Sequence, residues 1–232
     1  MKKTLVVCSG GLDSVTLAYQ VATEQQLIGL LTFDYGQRHK KEIEFAALAG
    51  KRLGVPHRVV DIANIGALLS SSLTDETVAV PEGHYTADNM SSTVVPNRNA
   101  IMLTIAFGLA DSIGAEAVAI AVHGGDHFIY PDCRPEFIAQ FAKMQALALG
   151  KNPAIELYAP YLNISKGDIA KQSVKYNVPL HETWSCYQGG DNHCGRCGTC
   201  VERLEAIAYA GATDSSAYTD KDFWKTTTAG EK

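Results

Sequence analysis

The run Ser9-Gly10-Gly11-Leu12-Asp13-Ser14 combines residue types that can hold an anion. It follows an apolar strand candidate, Thr4-Leu5-Val6-Val7-Cys8, and opens a helix candidate with apolar periodicity. Two glycines let the backbone turn successive N–H groups toward one point, and Ser14 with the positive end of the next helix completes a phosphate cradle. The run lacks the Lys-Ser/Thr ending of a Walker loop and the G-x-G-x-x-G of a dinucleotide fold. The bland alternative is a Gly-rich turn with no ligand. A second constellation lies near the other end, where Cys186, Cys194, Cys197 and Cys200 are spaced C-x7-C-x2-C-x2-C. Four thiolates aimed at one point make a closed tetrahedral zinc site without an open position for water, so the expected role is structural. An iron–sulfur cluster and a redox disulfide pair are the rival readings. His193, beside one of the ligands, is expected to be solvated.

These residues need a scaffold, and the remaining pattern supplies one. Strand candidates at Thr4–Val7, Leu27–Phe33, Arg58–Asp61 and Ala117–Val122 alternate with helix candidates at Asp13–Thr23, Lys40–Arg52, Asn99–Ile113, Pro135–Leu149 and Ser165–Tyr176. That alternation predicts an α/β fold, a Rossmann-like doubly wound parallel sheet, with a C-terminal zinc-binding knuckle over 184–210. Ser165 and Asp168 have the spacing of a capping box. The stretch from Ser70 to Thr93 reads as a long excursion of the kind that forms lids or substrate loops, and the tail after Gly211 as peripheral.

At 232 residues and 46% hydrophobic, the chain suits one domain over 1–232. A formal charge of −5 argues against an extended nucleic-acid-binding face. Neither a signal peptide nor a run of ~20 apolar residues is evident, so a cytoplasmic location and no membrane partner are expected. Six cysteines in a reducing compartment then require a reason other than disulfides, and the four-cysteine cluster provides it.

In an open parallel sheet, ligands bind beyond the carboxyl ends of the strands. Three segments expected there are rich in functional groups: Asp34-Tyr35-Gly36-Gln37-Arg38-His39, Val95-Pro96-Asn97-Arg98-Asn99, and His123-Gly124-Gly125-Asp126-His127 running on to Tyr130-Pro131-Asp132-Cys133-Arg134. Arg98 can pair with phosphate or carboxylate, Asp132 can accept from the N–H groups of a heterocycle, and Arg134 can pair with a carboxylate. Cys133 reads either as a nucleophile or as a packing thiol.

Taken singly, SGGLDS resembles the loop of the N-type ATP pyrophosphatases. Together with FDYGQRH at 33–39, Val95–Asn99, YPDCR at 130–134, the SCYxG of Ser185–Gly189 and the cysteine knuckle, it resembles the 7-cyano-7-deazaguanine synthase family of the queuosine pathway, from residue 4 to about 210. The resemblance implies a ligase that turns 7-carboxy-7-deazaguanine, ammonia and ATP into the nitrile, with structural Zn²⁺ and Mg²⁺, as a homodimer without direct nucleic-acid contact. It implies Asp13, Ser14, Arg98 and Lys166 as catalytic residues, the last near the α-phosphate. ATP is expected along Cys8, Ser9, Gly10, Gly11, Leu12, Asp13, Ser14, Val15, Thr16, Leu17, Ala18 and Phe33, and the base on Tyr35, Gln37, Arg38, Tyr130, Asp132 and Arg134. Two departures from the family pattern flank the substrate loop: Asn97 stands where glycine is common, and His127-Phe128-Ile129 where the family has x-Ser-Gly. A related enzyme acting on tRNA or another carboxylate, and a zinc-knuckle nucleic-acid-binding module, are the alternative functions.

Overall fold

The structure, a computed structural model, describes residues 1–227. Strands β1 (Lys3–Val7), β2 (Gln26–Asp34), β3 (His57–Asp61), β4 (Ala117–Ala119) and β5 (Glu156–Tyr158) form one parallel sheet in the order β3-β2-β1-β4-β5. Leu5 and Val6 of β1 and all three residues of β4 are buried, as expected where helices cover both faces of a parallel sheet. The strand order reverses at β1, so the crevice between the ends of β1 and β4 is the natural ligand site. The sheet is the one the sequence predicts, with two differences. β5 escapes notice because it is three residues long. β4 stops at Ala119, and the next three residues line the crevice.

Four longer helices, α1 (Leu12–Glu24), α2 (Lys41–Leu53), α3 (Arg98–Ile113) and α4 (Pro135–Leu149), pack on this sheet, while α5 (Lys166–Lys175) packs on α1 and α6 (Gly198–Tyr209) packs on α5. The capping box on α5 forms as predicted, with Ser165 Oγ accepting from the Asp168 N–H at 3.2 Å and Asp168 accepting from the Ser165 N–H. α6 is an element the sequence reading lacks. Its buried stripe of Val201, Leu204 and Ile207 begins inside the cysteine segment, where the metal spacing dominates the pattern. The excursion from Ser70 to Thr93 is packed down, with Leu73 and Met90 in the core.

The described tail after Gly211 is mostly exposed or half-buried, as expected, with one exception. Asp214 is 3% exposed and pairs at 2.8 Å with Arg203, which is fully buried on α6. A buried guanidinium needs a counter-charge, and the tail provides it. Residues 228–232 lie outside the described residues.

Asn97 explains one departure from the family pattern. It sits immediately before α3 with φ 59° and ψ 18°, in the left-handed region where glycine is at ease and asparagine is tolerated. Asn97→Gly is therefore expected to leave the thermal midpoint within a few degrees of wild type. Asn97→Val is expected to lose about 1–2 kcal/mol, because a β-branched side chain resists that conformation. Thermal unfolding of the two variants measures the difference.

Candidate active site and metal centre

The turn between β1 and α1 is built to leave N–H groups available. Gly11, immediately before α1, supplies no side-chain cap, so the helix presents unpaired N–H groups and the positive end of its dipole. Ser14 Oγ instead shapes the turn, accepting from the Ser9 N–H at 3.1 Å and donating to Gly11 O. Gly10 adopts φ +98°, and a Cβ there would lie 2.0 Å from the Glu42 carbonyl oxygen. Only glycine fits, because α2 presses directly on the turn.

Charged side chains converge on this turn from distant parts of the chain. Lys166, the first residue of α5, donates to Asp13 Oδ2 at 2.5 Å and lies 3.6 Å from Glu202 of α6. Burial opposes its charge, but the Asp13 and Glu202 carboxylates outweigh that and hold its ammonium well above the ordinary lysine range. His123 Nδ1 accepts from the Gly125 N–H, which leaves Nε2 as the N–H facing Asp126 at 3.4 Å and Asp13 at 3.9 Å. Asp13 Oδ1 is buried without a hydrogen bond among the described residues. A carboxylate oxygen left open beside a phosphate turn suits Mg²⁺, which takes hard oxygen ligands.

The far end of the cavity is aromatic. Arg98 lies over the Tyr35 ring at 5.7 Å and donates to its hydroxyl at 3.4 Å. Tyr187 stacks on His39 at 5.0 Å. Cys133 lines the wall here and is 3% exposed; burial, with the Asp126 and Asp132 carboxylates, pushes its thiol well above the ordinary range. It is a packing thiol rather than an activated nucleophile.

Among the residues the sequence singles out, Cys8, Ser9, Gly11, Leu12, Asp13, Ser14, Phe33, Tyr35, Arg98 and Lys166 line this one cavity. The others are used elsewhere. Val15, Leu17 and Ala18 are buried core, and Thr16 bonds back to Leu12 O within α1. Gln37 is fully buried, with its amide shared among Tyr35 N, Phe33 O and Glu42. Arg38 donates to Ser72 O and Val78 O and so pins the packed excursion. Tyr130 is held by the hydroxyls of Thr93 and Tyr85. Asp132 accepts from the Asn99 N–H at 2.8 Å and so caps α3, whose preceding residue offers no side-chain cap. Arg134 is exposed and donates to His127 O.

The structure adds Glu42, Asp126, Trp184, Tyr187 and Glu202 to the site or its edge. Asp126 lies in a loop that the sequence reading marks as rich. Glu42 falls inside the helix predicted over Lys40–Arg52 with no role assigned to it, and Glu202 sits on the unexpected α6.

The four knuckle cysteines bring their sulfurs within 4.8 Å of one another. Backbone N–H groups of Cys194, Arg196 and Cys197 point at Cys186 Sγ and Cys194 Sγ at 3.2–3.4 Å, an arrangement that stabilises thiolates. Thiol donors from the neighbouring three hold Cys197 well below the ordinary thiol range. The donor set therefore fits a tetrahedral metal ion. His193 is not solvated: it is 3% exposed, its Nε2 accepts from the Ser185 N–H at 3.1 Å, and it is stacked between Trp184 and Tyr218. Burial pushes it down to about 4 and keeps it the neutral acceptor that Ser185 requires. Thr199, one residue before Cys200, donates to Ser185 O at 2.8 Å and lines the cavity, so the metal centre and the cleft share a wall.

Comparison with known proteins identifies the family. The family model described as queuosine biosynthesis protein QueC matches residues 3–211. The 7-cyano-7-deazaguanine synthase of Rhizobium rhizogenes strain K84 is 61% identical over 228 residues, covering 98% of this chain and 97% of that protein. The 7-cyano-7-deazaguanine synthase 1 of Mesorhizobium japonicum is 64% identical, covering 95% of each chain. The Brucella ovis 7-cyano-7-deazaguanine synthase is 60% identical over 97% of each.

Proposed function

The chain belongs to the family of the queuosine biosynthesis protein QueC, and from that premise we propose that it converts 7-carboxy-7-deazaguanine and ammonia into 7-cyano-7-deazaguanine, consuming two ATP. It is an ATP-dependent ligase of queuosine biosynthesis. The observation that carries the mechanistic reading is the convergence of Asp13 and Lys166 on an uncapped helix start, where a nucleotide's phosphates would lie.

A carboxylate resists ammonia because its oxide is a poor leaving group. In our reading the base's carboxylate oxygen attacks the α-phosphorus and diphosphate departs into the turn at Ser9–Ser14. Lys166 neutralises the charge that builds on the phosphates, and Arg98 steadies the carboxylate. Mg²⁺, held by Asp13, would supply further neutralisation of the diphosphate. Ammonia then adds to the activated carbon, one proton is lost from nitrogen, and AMP leaves with one carboxylate oxygen to give the amide. A second round activates the amide oxygen, two protons are lost from nitrogen, and AMP leaves with the other oxygen to give the nitrile. The protein's share is positioning and charge.

The expected result is two AMP and two diphosphates per nitrile, with the amide accepted as a substrate that consumes one ATP. Mass spectrometry of the products alongside AMP determination over time tests it. ADP as the product, or one AMP per nitrile from the acid, would overturn the scheme.

Zn²⁺ on the four cysteines, a homodimer of single-domain chains and a cytoplasmic location complete the proposal. No helix among the described residues is long and apolar enough to cross a membrane. The charge of −5 favours small-molecule substrates over direct nucleic-acid binding.

A further inference from the structure

Nitrogen loses one proton as the amide forms and two as it is dehydrated, and no residue named so far receives them. The acceptor has to stand where the reacting carbon stands. That carbon is joined through oxygen to the α-phosphorus, and it belongs to a base whose carboxylate Arg98 steadies. It therefore lies between the phosphate turn and the aromatic end of the cavity.

Asp126 is a carboxylate of the cavity wall in that interval. It closes the short turn Gly124–Asp126, whose Gly124 N–H donates to Ile164 O at 2.9 Å, two residues before Lys166. A Cβ on Gly124 would lie 3.0 Å from that same oxygen, so the turn is pressed against the start of α5. On its other side, the Asp126 carbonyl accepts from the Ile129 and Tyr130 N–H groups, which ties it to the segment leading to Cys133. Its charge reaches both ends of the cavity. Against burial, it joins the Asp13 and Glu202 carboxylates in raising Lys166, and it adds to burial in pushing up the Cys133 thiol and the Tyr187 hydroxyl.

The side chain is held in place without being used up. The Tyr85 hydroxyl donates to Oδ1 at 3.1 Å; burial, with the Asp126 charge, pushes that hydroxyl well above the ordinary tyrosine range, so it stays a donor. The His123 N–H faces Oδ2 from 3.4 Å. A carboxylate offers about four acceptor positions, so a proton from the cavity still finds one. The side chain also remains 18% exposed, which lets the proton return to water. The neighbouring acids are committed elsewhere. Asp13 holds Lys166, Glu202 lies 3.6 Å from the same ammonium, and Glu42 stands behind Gly10 with its Oε1 accepting from Gln37.

We propose that Asp126 is the catalytic base that takes the protons from nitrogen in both rounds, with Tyr85 and His123 as its positioning residues. The proposal rests on the function given above. Once the lone pair of ammonia has formed the C–N bond, Asp126 takes one N–H proton and that pair stays on nitrogen. The C–O bond to AMP then breaks with its electrons on the AMP oxygen. In the second round one N–H proton goes to Asp126 as the amide oxygen attacks the α-phosphorus and diphosphate departs, leaving C=N. The remaining N–H proton goes the same way as the C–O bond to AMP breaks, and the freed pair completes the nitrile. Asp126 returns each proton to water before it takes the next.

Adenylation of the acid removes no proton from nitrogen, and that separates a base from a mere support. Asp126→Asn is expected to lower nitrile formation from the amide ~100- to 10,000-fold. From the acid, ATP and ammonium, a single turnover is expected to release diphosphate and then to accumulate the acyl-adenylate. Nitrile formation within about threefold of wild type would overturn the proposal. So would diphosphate release from the acid that falls as far as nitrile formation, because Asp126 would then support the nucleotide site. If Asp126→Asn fails to fold, Asp126→Ala with added formate decides: the small carboxylate replaces the lost one, at least about tenfold recovery of nitrile formation is expected, and no recovery sinks the idea. A wild-type protein that makes nitrile from neither the acid nor the amide removes the functional reading itself, a different failure from loss of the base.

Discussion

Asp13→Ala is expected to lower diphosphate release by ~100- to 1,000-fold or more while the protein still unfolds cooperatively near its wild-type midpoint. Asp13 holds the Lys166 ammonium at 2.5 Å and faces the His123 N–H, so it sets the position of the main cation at the turn. Its second oxygen is buried without a hydrogen bond, which core packing does not explain and a role toward phosphate or Mg²⁺ does. Removing the carboxylate leaves Lys166 paired only with Glu202, 3.6 Å away, and drawn from the turn. The fold is expected to survive because the buried α1 residues that pack on the sheet are untouched. Single-turnover measurement of diphosphate, with a thermal melt of the same sample, separates the two effects. Near-full release would mean that the phosphates lie elsewhere.

Stripping the metal, or Cys197→Ser, is expected to abolish turnover through loss of structure from Cys186 to about Tyr209. Structural zinc sites contribute ~10–16 kcal/mol, comparable to the ~5–15 kcal/mol stability of a whole domain. α6 begins directly on Cys197, and it carries Glu202 toward Lys166 and Thr199 into the cleft wall. Loosening the knuckle therefore removes one wall of the ATP site. Elemental analysis should give one zinc per chain, and limited proteolysis of the stripped protein should cut first within 186–209. Zinc-free protein with full stability and activity would refute the structural role.

The parts of the site legible in the sequence are those whose chemistry is contiguous. The turn at Ser9–Ser14 and the cysteines at 186–200 carry their own spacing, and the strand–helix alternation places the turn at the carboxyl end of β1. What the sequence conceals is orientation. Gln37, Arg38, Asp132 and Arg134 are suitable residue types in suitable loops, yet the fold spends each on holding the loops in place. Glu42 shows the converse, because only the approach of α2 to Gly10 reveals that a helix-start acid lines the cavity. The knuckle helix is hidden for another reason: its apolar stripe overlaps the metal ligands, and two patterns share the same residues.

The separation of 153 residues between Asp13 and Lys166 has a consequence for the newborn chain. The phosphate turn leaves the ribosome first, whereas Lys166, Trp184 and Glu202 leave last. At ~5–20 residues per second the interval is about 8–30 s. Throughout that time β1 can pair with β2, but the crevice has neither its lysine nor the wall that the cysteine knuckle builds. On the proposed function, nucleotide is not expected to assist the early stages of folding, and a polypeptide released before the cysteine segment is complete is expected to be inert toward ATP. The arrangement restricts ATP consumption to finished molecules.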